Sequence, residues 1–191
     1  MKARSIYTTW RGNSRPGTGL VVNVRGPIGS GKTTLCRGLE GRPPWRFWYL
    51  DVDRALWGHP PDLRGDYIRT ETAPEIDIVA LHTMMVLRRG FHIILDQNFQ
   101  TDFQVRRFFR GIGRRRSDPR VILIRLTVDT EEAVRRKTTL RPRYVRASHA
   151  GFHLHPIPGE TVVDTTGKTP RDVLLEVRSL LLGRRANGVA P

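Results

Sequence analysis

Cysteine, lysine and long apolar runs are all scarce in this sequence. Of its 191 residues only Cys36 is a cysteine, which excludes a disulfide within the chain. No uninterrupted apolar stretch approaches the roughly 20 residues that a membrane-spanning helix needs. Residues 1–19 are basic and lack the apolar core of a secretory signal. We therefore expect a protein of the reducing cytoplasm, with Cys36 as a small buried residue.

Acidic residues are scarce relative to basic ones. The chain has 33 Lys and Arg against 18 Asp and Glu, a formal net charge of +15. Lysine occurs only at positions 2, 32, 137 and 168, so nearly all of the positive charge is arginine. This excess favours an anionic partner such as a nucleotide or a nucleic acid, but an arginine-rich genome would produce it too. The charge alone leaves both interpretations open.

Strand-like and helix-like segments alternate along the chain. Short apolar runs rich in β-branched and aromatic residues predict strands at 20–25, 45–50, 91–96, 120–128 and 160–166. Helical spacing and end signals predict helices at 31–41, 73–90, 102–113, 129–140 and 170–182. This alternation predicts an α/β fold of three layers, with a five-stranded parallel sheet between helices.

The domain organisation follows from the same pattern. We expect one domain over residues 20–182, between a basic flexible arm at 1–19 and a flexible tail at 183–191. In the 73–90 helix, Ile76, Val79, Ala80, Thr83, Val86 and Leu87 have the spacing of an inner face; in the 102–113 helix, Phe103, Phe108 and Phe109 do. The stretch 141–159 has weak periodicity and is expected to be a mobile lid over the site.

The stretch GPIGSGKTT, residues 26–34, contains the phosphate-binding motif G-x-x-x-x-G-K-[ST] between a predicted strand and a predicted helix. Glycines let successive N–H groups turn toward phosphate oxygens, and the helix N-terminus adds positive charge. Lys32 is expected to reach the β- and γ-phosphates, and the Thr33 hydroxyl to bind Mg²⁺. Because strand, loop, Lys and Thr occur together, this reading outweighs a chance glycine-rich turn. The predicted nucleotide-binding residues here are Gly26, Ile28, Gly29, Ser30, Gly31, Lys32, Thr33 and Thr34.

Acidic and amide side chains follow two of the predicted strands. Asp96 ends the third strand and is a candidate Mg²⁺ ligand, with a helix-capping role as the alternative. Gln97 and Asn98 come next, at the sheet edge where ligands bind in open α/β sheets; they are candidate substrate-binding residues, with shaping of the turn as the alternative. Asp51 and Asp53 end the second strand. In an extended strand their side chains would share one face, beside the loop.

Arginines concentrate after the fourth predicted strand. Arg135 and Arg136 are candidate catalytic residues because guanidinium groups on a closing lid stabilise a transferring phosphoryl group, and Arg135 is also a candidate nucleotide ligand. Arg141 and Arg143 are candidate substrate ligands; a solvated basic face is the alternative for all four. His149, His153 and His155 lack cysteine partners and tight ligand spacing, so a structural or substrate-contact role is favoured over zinc.

The motifs GPIGSGKTT, YLDVDRAL, HIILDQNF, EEAVRRKTTLR and ETVVDTTGKTP occur in this order. They resemble the small P-loop kinases of the AAA-type ATP-binding family, which include shikimate and gluconate kinases, chloramphenicol phosphotransferase and the kinase domains of polynucleotide kinases. The resemblance covers about residues 20–182. It implies an NMP-kinase-like fold with an Arg-rich lid, ATP as phosphate donor and Mg²⁺ as cofactor.

The resemblance also implies roles for individual residues. Asp53 matches the acid that binds or deprotonates the acceptor hydroxyl, and Asp51 matches a second acid near Mg²⁺. Thr166 falls in the stretch that flanks the adenine, and the acceptor pocket is expected within residues 58–77, with Arg69 as a substrate ligand. The glycine-rich substrate loop of shikimate kinase is missing from this sequence.

These observations favour an ATP-dependent kinase that phosphorylates a hydroxyl of a small molecule, such as an antibiotic, a nucleoside or a sugar-like metabolite. The sequence lacks the Asn-Lys-x-Asp motif that reads guanine, which disfavours a GTPase. A 5′-hydroxyl kinase of RNA or DNA is the first alternative, since the charge would suit a nucleic-acid backbone. A nucleotide-binding regulatory protein without phosphotransfer is the second.

Overall fold

The computed structural model describes residues 19–41, 45–52, 74–99, 102–112, 120–152, 156–157 and 159–186. Strands and helices alternate in these residues, as predicted. The strands are β1 (Leu20–Arg25), β2 (Phe47–Asp51), β3 (His92–Asp96), β4 (Arg120–Thr127) and β5 (Thr161–Asp164). The helices are α1 (Lys32–Leu39), α2 (Pro74–Arg88), α3 (Asp102–Gly111), α4 (Thr130–Arg136), α5 (Pro142–Phe152) and α6 (Pro170–Ala186).

The five strands form one parallel sheet in the order β2-β3-β1-β4-β5. Every strand therefore presents its carboxyl end at the same edge. The register aligns Asp51 with Asp96 across β2 and β3, and Arg25 with Arg125 across β1 and β4. The predicted α/β fold with a five-stranded parallel sheet is confirmed.

Two apolar clusters, one on each face of the sheet, form the core. Leu35, Cys36 and Leu39 of α1 pack with Val177 and Leu181 of α6 on one face. Helices α2 and α3 cover the other face. The predicted inner face of α2 is confirmed, since Ile76, Val79, Ala80, Thr83, Val86 and Leu87 are all buried.

The inner face of α3 differs from the prediction. Phe108 is buried, but its buried partners are Val105 and Ile112, which lie three residues before and four after it on the same helical face. Phe103 and Phe109 are half-buried at the margins. The error arose because aromatic residues were given more weight than helical spacing.

No helix was predicted within residues 141–159, but eleven of these residues form α5. Pro142 occupies the first turn, where its missing N–H costs nothing. Val145 and His149, four residues apart and therefore on one face, are both buried. The helix therefore has a polar side chain, that of His149, at one of its inward positions.

Three element ends also differ from the predictions. Helix α4 ends at Arg136 rather than at residue 140, and α6 continues to Ala186, into the predicted tail. Strand β2 ends at Asp51, one residue beyond the predicted 45–50, and the expected alignment of Asp51 with Asp53 stays a prediction. Val52 is buried, as expected, and Asp53 lies outside the described residues. None of the described helices has both the length and the apolarity to cross a bilayer.

Candidate functional site

The glycine-rich loop, residues 26–31, joins the carboxyl end of β1 to the start of α1. Its first glycine is required by a close approach, because a Cβ on Gly26 would lie 2.7 Å from the Leu126 carbonyl oxygen. Gly29 has a φ of +83°, and a Cβ there would lie 2.9 Å from the Cβ of Ala133. The loop is thus pressed between the sheet and α4. The glycines permit this packing as well as a backbone concave toward an anion.

A cavity of about 910 Å³ opens over this loop. Its floor is formed by residues 28–35, and its walls come from Arg136, Lys137 and Leu140 on one side and from Thr165, Lys168 and Val173 on the other. The volume lies in the range of small-ligand sites, about 300–1,000 Å³. Lys32 spans the loop, with its Nζ donating to the carbonyl oxygens of Gly26 at 2.8 Å and Pro27 at 3.2 Å.

A hydroxyl and a carboxylate meet at the end of the loop. The Thr33 hydroxyl donates to Oδ2 of Asp96 over 2.8 Å. Asp51 is the register neighbour of Asp96 on β2, and its Oδ2 accepts a 3.3 Å hydrogen bond from the Tyr49 hydroxyl. The structure therefore places Thr33 and Asp96 in contact, with Asp51 on the adjacent strand.

Burial and both carboxylates raise the pKa of two neighbouring groups, the Cys36 thiol and the Tyr49 hydroxyl. Burial raises the pKa of the Cys36 thiol well above its usual value; Asp96 and Asp51 add to this rise and Lys32 opposes it. Burial likewise raises the pKa of the Tyr49 hydroxyl, again with contributions from Asp96 and Asp51. The two carboxylates thus concentrate negative charge in one region. Cys36, fully buried and held as a neutral thiol, is a packing residue.

The oxygen atoms at this point suit Mg²⁺. Mg²⁺ is bound through one or two carboxylates together with waters and substrate phosphates, so it needs no dense protein cage. In the part of the chain that the structure describes, no group of three or more His, Cys, Asp and Glu residues could hold a metal ion. The Thr33 hydroxyl and the Asp96 carboxylate, with Asp51 nearby, are the set that fits.

The predicted arginines separate into one that contacts the loop and three that do not. Arg136 donates to the Thr165 carbonyl oxygen over 2.7 Å and to the Gly29 carbonyl oxygen over 3.4 Å, and it forms an ion pair with Glu132. The side chains of Arg135, Arg141 and Arg143 are exposed, and they do not line the described cavity. The guanidinium of Arg143 lies over the Tyr144 ring at 5.2 Å.

Thr165 lines the cavity directly after β5, and the predicted Thr166 is not among the lining residues. Thr165 is buried, and its hydroxyl donates to the Thr127 carbonyl oxygen over 3.0 Å. Thr166 is exposed, and its hydroxyl bonds Oδ1 of Asp164 and the Asp129 N–H. The pattern of alternation was available in the sequence: Val163 and Thr165 share the inward face.

Gln97 and Asn98, which follow β3, contact β1 and the glycine-rich loop. Oδ1 of Asn98 accepts a 3.0 Å hydrogen bond from the Gly26 N–H. Gln97 is buried, and its backbone oxygen accepts from the Asn23 side chain at 3.0 Å. Asn98 therefore contacts the first residue of the loop, whereas Gln97 contacts β1, the strand that leads into it. Asp53 and Arg69, the other predicted substrate ligands, lie outside the described residues, as do His153 and His155.

Sequence reasoning missed a contact between α5 and the loop. The Ile28 N–H donates to Oγ of Ser148 at 3.2 Å, and Nε2 of His149 lies 2.9 Å from the Ile28 carbonyl oxygen. Ile28 was predicted to bind nucleotide, but both of its backbone groups face the helix. In the sequence this contact corresponds to Ser148 followed by His149, a pair that belongs to no recognised motif.

A buried ion cluster lies beside the first glycine. Glu160 is 3.5 Å from Nη1 of Arg25 and 2.8 Å from Nε of Arg125, both as ion pairs without hydrogen-bond alignment. The Arg25 guanidinium also lies 4.7 Å from the centroid of the Phe152 ring. Burial lowers the pKa of Arg25, the Glu160 carboxylate opposes this, and Arg125 adds to it. The cluster links the end of β1 to β4, α5 and the segment before β5.

Comparison with solved structures finds the same fold in a gluconokinase, an APS kinase and a tunicamycin resistance protein. A gluconokinase from Sinorhizobium meliloti 1021 is 12% identical over 91% of this chain and 97% of its own, with a TM-score of 0.62. The APS kinase CysC of Mycobacterium tuberculosis, solved with AMPPNP and APS, is 13% identical over 86% and 98%, also with a TM-score of 0.62. The tunicamycin resistance protein of Deinococcus radiodurans is 16% identical over 85% and 95%, with a TM-score of 0.60.

No curated protein shows significant sequence similarity to the chain. The family described as AAA domain matches residues 21–150, which include β1, the glycine-rich loop, Asp96 and most of α5. That span exceeds half of the 191 residues. The chain therefore belongs to the AAA-domain family, and its fold is that of the small P-loop kinases.

Proposed function

We propose that the chain is a kinase that transfers the γ-phosphate of ATP to a hydroxyl of a small-molecule acceptor. The observation that carries this proposal is the 2.8 Å contact between Thr33 and Asp96, with Asp51 aligned on the neighbouring strand. A protein that only binds nucleotide needs no more than the glycine-rich loop. Carboxylates beside the phosphate end of that loop are what phosphoryl transfer requires in addition.

The nucleotide would occupy the cavity over the loop. Lys32, whose Nζ lies against the loop carbonyls, would turn to the β- and γ-phosphates and offset their charge. Thr33, Asp96 and Asp51 would hold Mg²⁺, which neutralises charge on the phosphates when it is bound. Lys168, Pro170 and Val173, on the far wall, would contact the nucleoside, with Thr165 between them and the loop.

The transfer itself is a displacement at phosphorus. The acceptor oxygen forms a bond to the γ-phosphorus, the bond from that phosphorus to the β,γ-bridging oxygen breaks, and ADP leaves. The hydroxyl proton passes to a carboxylate, which we assign to Asp53 with Asp51 nearer the metal. Arg135, Arg141 and Arg143 would reach the transferring group or the acceptor only if the segment that carries them moves inward.

The remaining assignments are also proposals. Arg136 bonds the carbonyl oxygens of both Gly29 and Thr165. We therefore assign it to holding the glycine-rich loop against the cavity wall that would contact the nucleoside, and not to direct charge stabilisation. Gln97 and Asn98 fit loop support better than substrate contact. Arg69 and the segment 58–77 stay assigned to the acceptor pocket. Gluconokinase and APS kinase, named among the structural relatives, support a hydroxylated small-molecule acceptor.

The decisive experiment follows the phosphorylated product. The protein, Mg²⁺ and γ-labelled ATP are incubated with sugar acids, nucleosides, hydroxylated antibiotics and oligonucleotides that carry a 5′-hydroxyl. We expect label on one class of small molecule, and no label when a Lys32→Met variant replaces the wild type. Tight ATP binding without any labelled acceptor would favour the regulatory alternative.

The assignment of Asp53 has its own test. Asp53→Asn should lower turnover by about 10²- to 10⁴-fold while ATP affinity stays near the wild-type value, because general-base catalysis contributes on that scale. Glu40→Gln, at an exposed acid outside the segment assigned to the acceptor pocket, is the control. Unchanged phosphorylation by Asp53→Asn would remove this residue from the mechanism.

A 5′-hydroxyl polynucleotide kinase is the second candidate, favoured by the +15 charge and by the exposed Arg106 and Arg110 on α3. Binding of an oligonucleotide through its phosphates must weaken steeply as salt is added. Labelling of an oligonucleotide that falls off between 50 and about 200 mM salt would favour this candidate over the small-molecule kinase.

A further inference from the structure

Helix α5 holds one residue of the glycine-rich loop from both sides. Ser148 accepts a hydrogen bond from the Ile28 N–H at 3.2 Å, and His149 lies 2.9 Å from the carbonyl oxygen of the same residue. Consecutive residues of one helix thus satisfy both backbone groups of one loop residue. The contact joins positions about 120 residues apart in the chain.

The partners of His149 determine its tautomer. A carbonyl oxygen can only accept, so Nε2 carries the proton and donates to Ile28. Nδ1 lies 3.2 Å from the Thr130 hydroxyl, which donates to it when the ring is neutral. The His149 side chain is buried, and both ring nitrogens have partners. This is the arrangement of a positioned residue and not of a surface histidine.

Further contacts hold α5 and α4 against the loop. Val145 of α5 packs with Val128 and Ala133, and Ile28 adds its side chain to this cluster. The Arg146 guanidinium forms two 2.9 Å hydrogen bonds with the Glu131 carboxylate of α4. The two helices therefore act as one support, and the loop cannot change shape at Ile28 without breaking hydrogen bonds to α5.

We propose that Ser148 and His149 are positioning residues that fix the shape of the glycine-rich loop for nucleotide binding. Because the Ile28 N–H bonds α5, the backbone N–H groups that can bind phosphate are those of the loop residues after Ile28. Loss of the α5 contact would release Ile28 and let the following N–H groups turn away from the phosphates. The inference rests on the proposed function for the identity of the ligand, and on the structure alone for the contact.

The test uses Ser148→Ala, His149→Ala and His149→Gln, with Ala150→Gln as a control at the next, exposed position. Glutamine presents an N–H to Ile28 and an oxygen to Thr130, so it can replace both contacts of the ring. Affinity for a non-hydrolysable ATP analogue with Mg²⁺ should fall roughly tenfold in each alanine variant, about 1.4 kcal/mol. His149→Gln should stay within about threefold of wild type, and Ala150→Gln should match it.

A second readout does not depend on nucleotide. Exchange of the Ile28 amide hydrogen, followed by NMR without ligand, should be roughly tenfold faster in Ser148→Ala than in the wild type or Ala150→Gln. If His149→Ala fails to fold, Ser148→Ala still decides, since it removes only a half-buried hydroxyl. Thermal unfolding of every variant separates loss of the loop shape from loss of the fold.

Two results would overturn the inference. One is wild-type affinity for the analogue in both folded alanine variants. The other is unchanged exchange of the Ile28 amide in Ser148→Ala. If instead the wild type does not bind ATP, the proposed function fails, while faster exchange at Ile28 would still support the positioning role.

Discussion

The two halves of the phosphate-binding motif, residues 26–34, are held in different ways. Residues 26–30 are fixed by side chains from four other parts of the chain: Asn98, Arg136, Ser148, His149 and Thr165 all bond their backbone. Residues 31–34 start α1 and are fixed by the helix itself, for example by the 2.9 Å bond from the Leu35 N–H to the Gly31 carbonyl oxygen. The side chain of Thr33 reaches Asp96, and that of Lys32 bonds the Gly26 and Pro27 carbonyl oxygens.

This difference separates chemistry from positioning. The second half supplies the groups expected to meet phosphate and metal, Lys32 and Thr33, and its shape depends on local helix geometry. The first half supplies shape, and its shape depends on residues brought in by the fold. Substitutions in the second half should therefore lower turnover, whereas substitutions that affect the first half should lower nucleotide affinity or stability.

The largest effect is expected in the second half. Lys32→Met should lower the phosphotransfer rate by about 10²- to 10³-fold with little change in melting temperature, because it removes a charge aimed at the transferring group. Arg110→Met, on the exposed face of α3, removes a like charge away from the site and should leave the rate unchanged. A slow rate in both variants would point to net charge as the cause.

A stability effect of similar free energy is expected beside the first half. Glu160→Gln leaves Arg25 and Arg125 without their described carboxylate, and breaking a buried ion pair costs about 3–5 kcal/mol. Urea unfolding measures the loss. Glu131→Gln breaks the exposed pair with Arg146 and should leave the midpoint nearly unchanged. Equal losses in the two variants would contradict a special role for the buried cluster.

The contact between the second half and β3 should affect the metal requirement. Asp96→Asn keeps an oxygen that can accept from Thr33 but removes the charge. The Mg²⁺ concentration for half-maximal rate should rise about 10- to 100-fold, a range typical of altered metal surroundings. Glu40→Gln, at an exposed acid at the end of α1, is the control. An unchanged Mg²⁺ dependence would exclude Asp96 from the metal site.

The smallest effect is expected at Asp164, beyond both halves. Hydrogen bonds from the Thr166 N–H and hydroxyl lower the pKa of this carboxyl. Since the folded pKa lies below the unfolded value of about 3.9, the stabilisation is complete above that pH and is lost as the pH falls through the folded pKa. For this exposed group we expect less than about 1 kcal/mol. Melting temperatures at pH 3 to 6, compared with Asp164→Asn, measure it.

The sequence predicted the fold well because the evidence for it is local. The strand before the loop, the loop itself and the helix after it are adjacent in the chain, and each has a pattern of its own. Helix α5 was missed because its inward positions are few and one is a histidine, which gives no apolar signal. Thr165 was missed by one residue because strand alternation was not applied to the end of β5.

The sequence by itself determined the five strands, the phosphate-binding motif and the acids at the ends of β2 and β3. Local hydrogen bonding and side-chain periodicity are sufficient to dictate these features. The contact of Thr33 with Asp96 followed from a general rule, that parallel strands end at one edge. Tertiary structure alone decided the rest: that Arg136 anchors the loop, and that Ser148 and His149 hold Ile28. These contacts join residues about 107 to 121 positions apart, a separation at which no local pattern carries information.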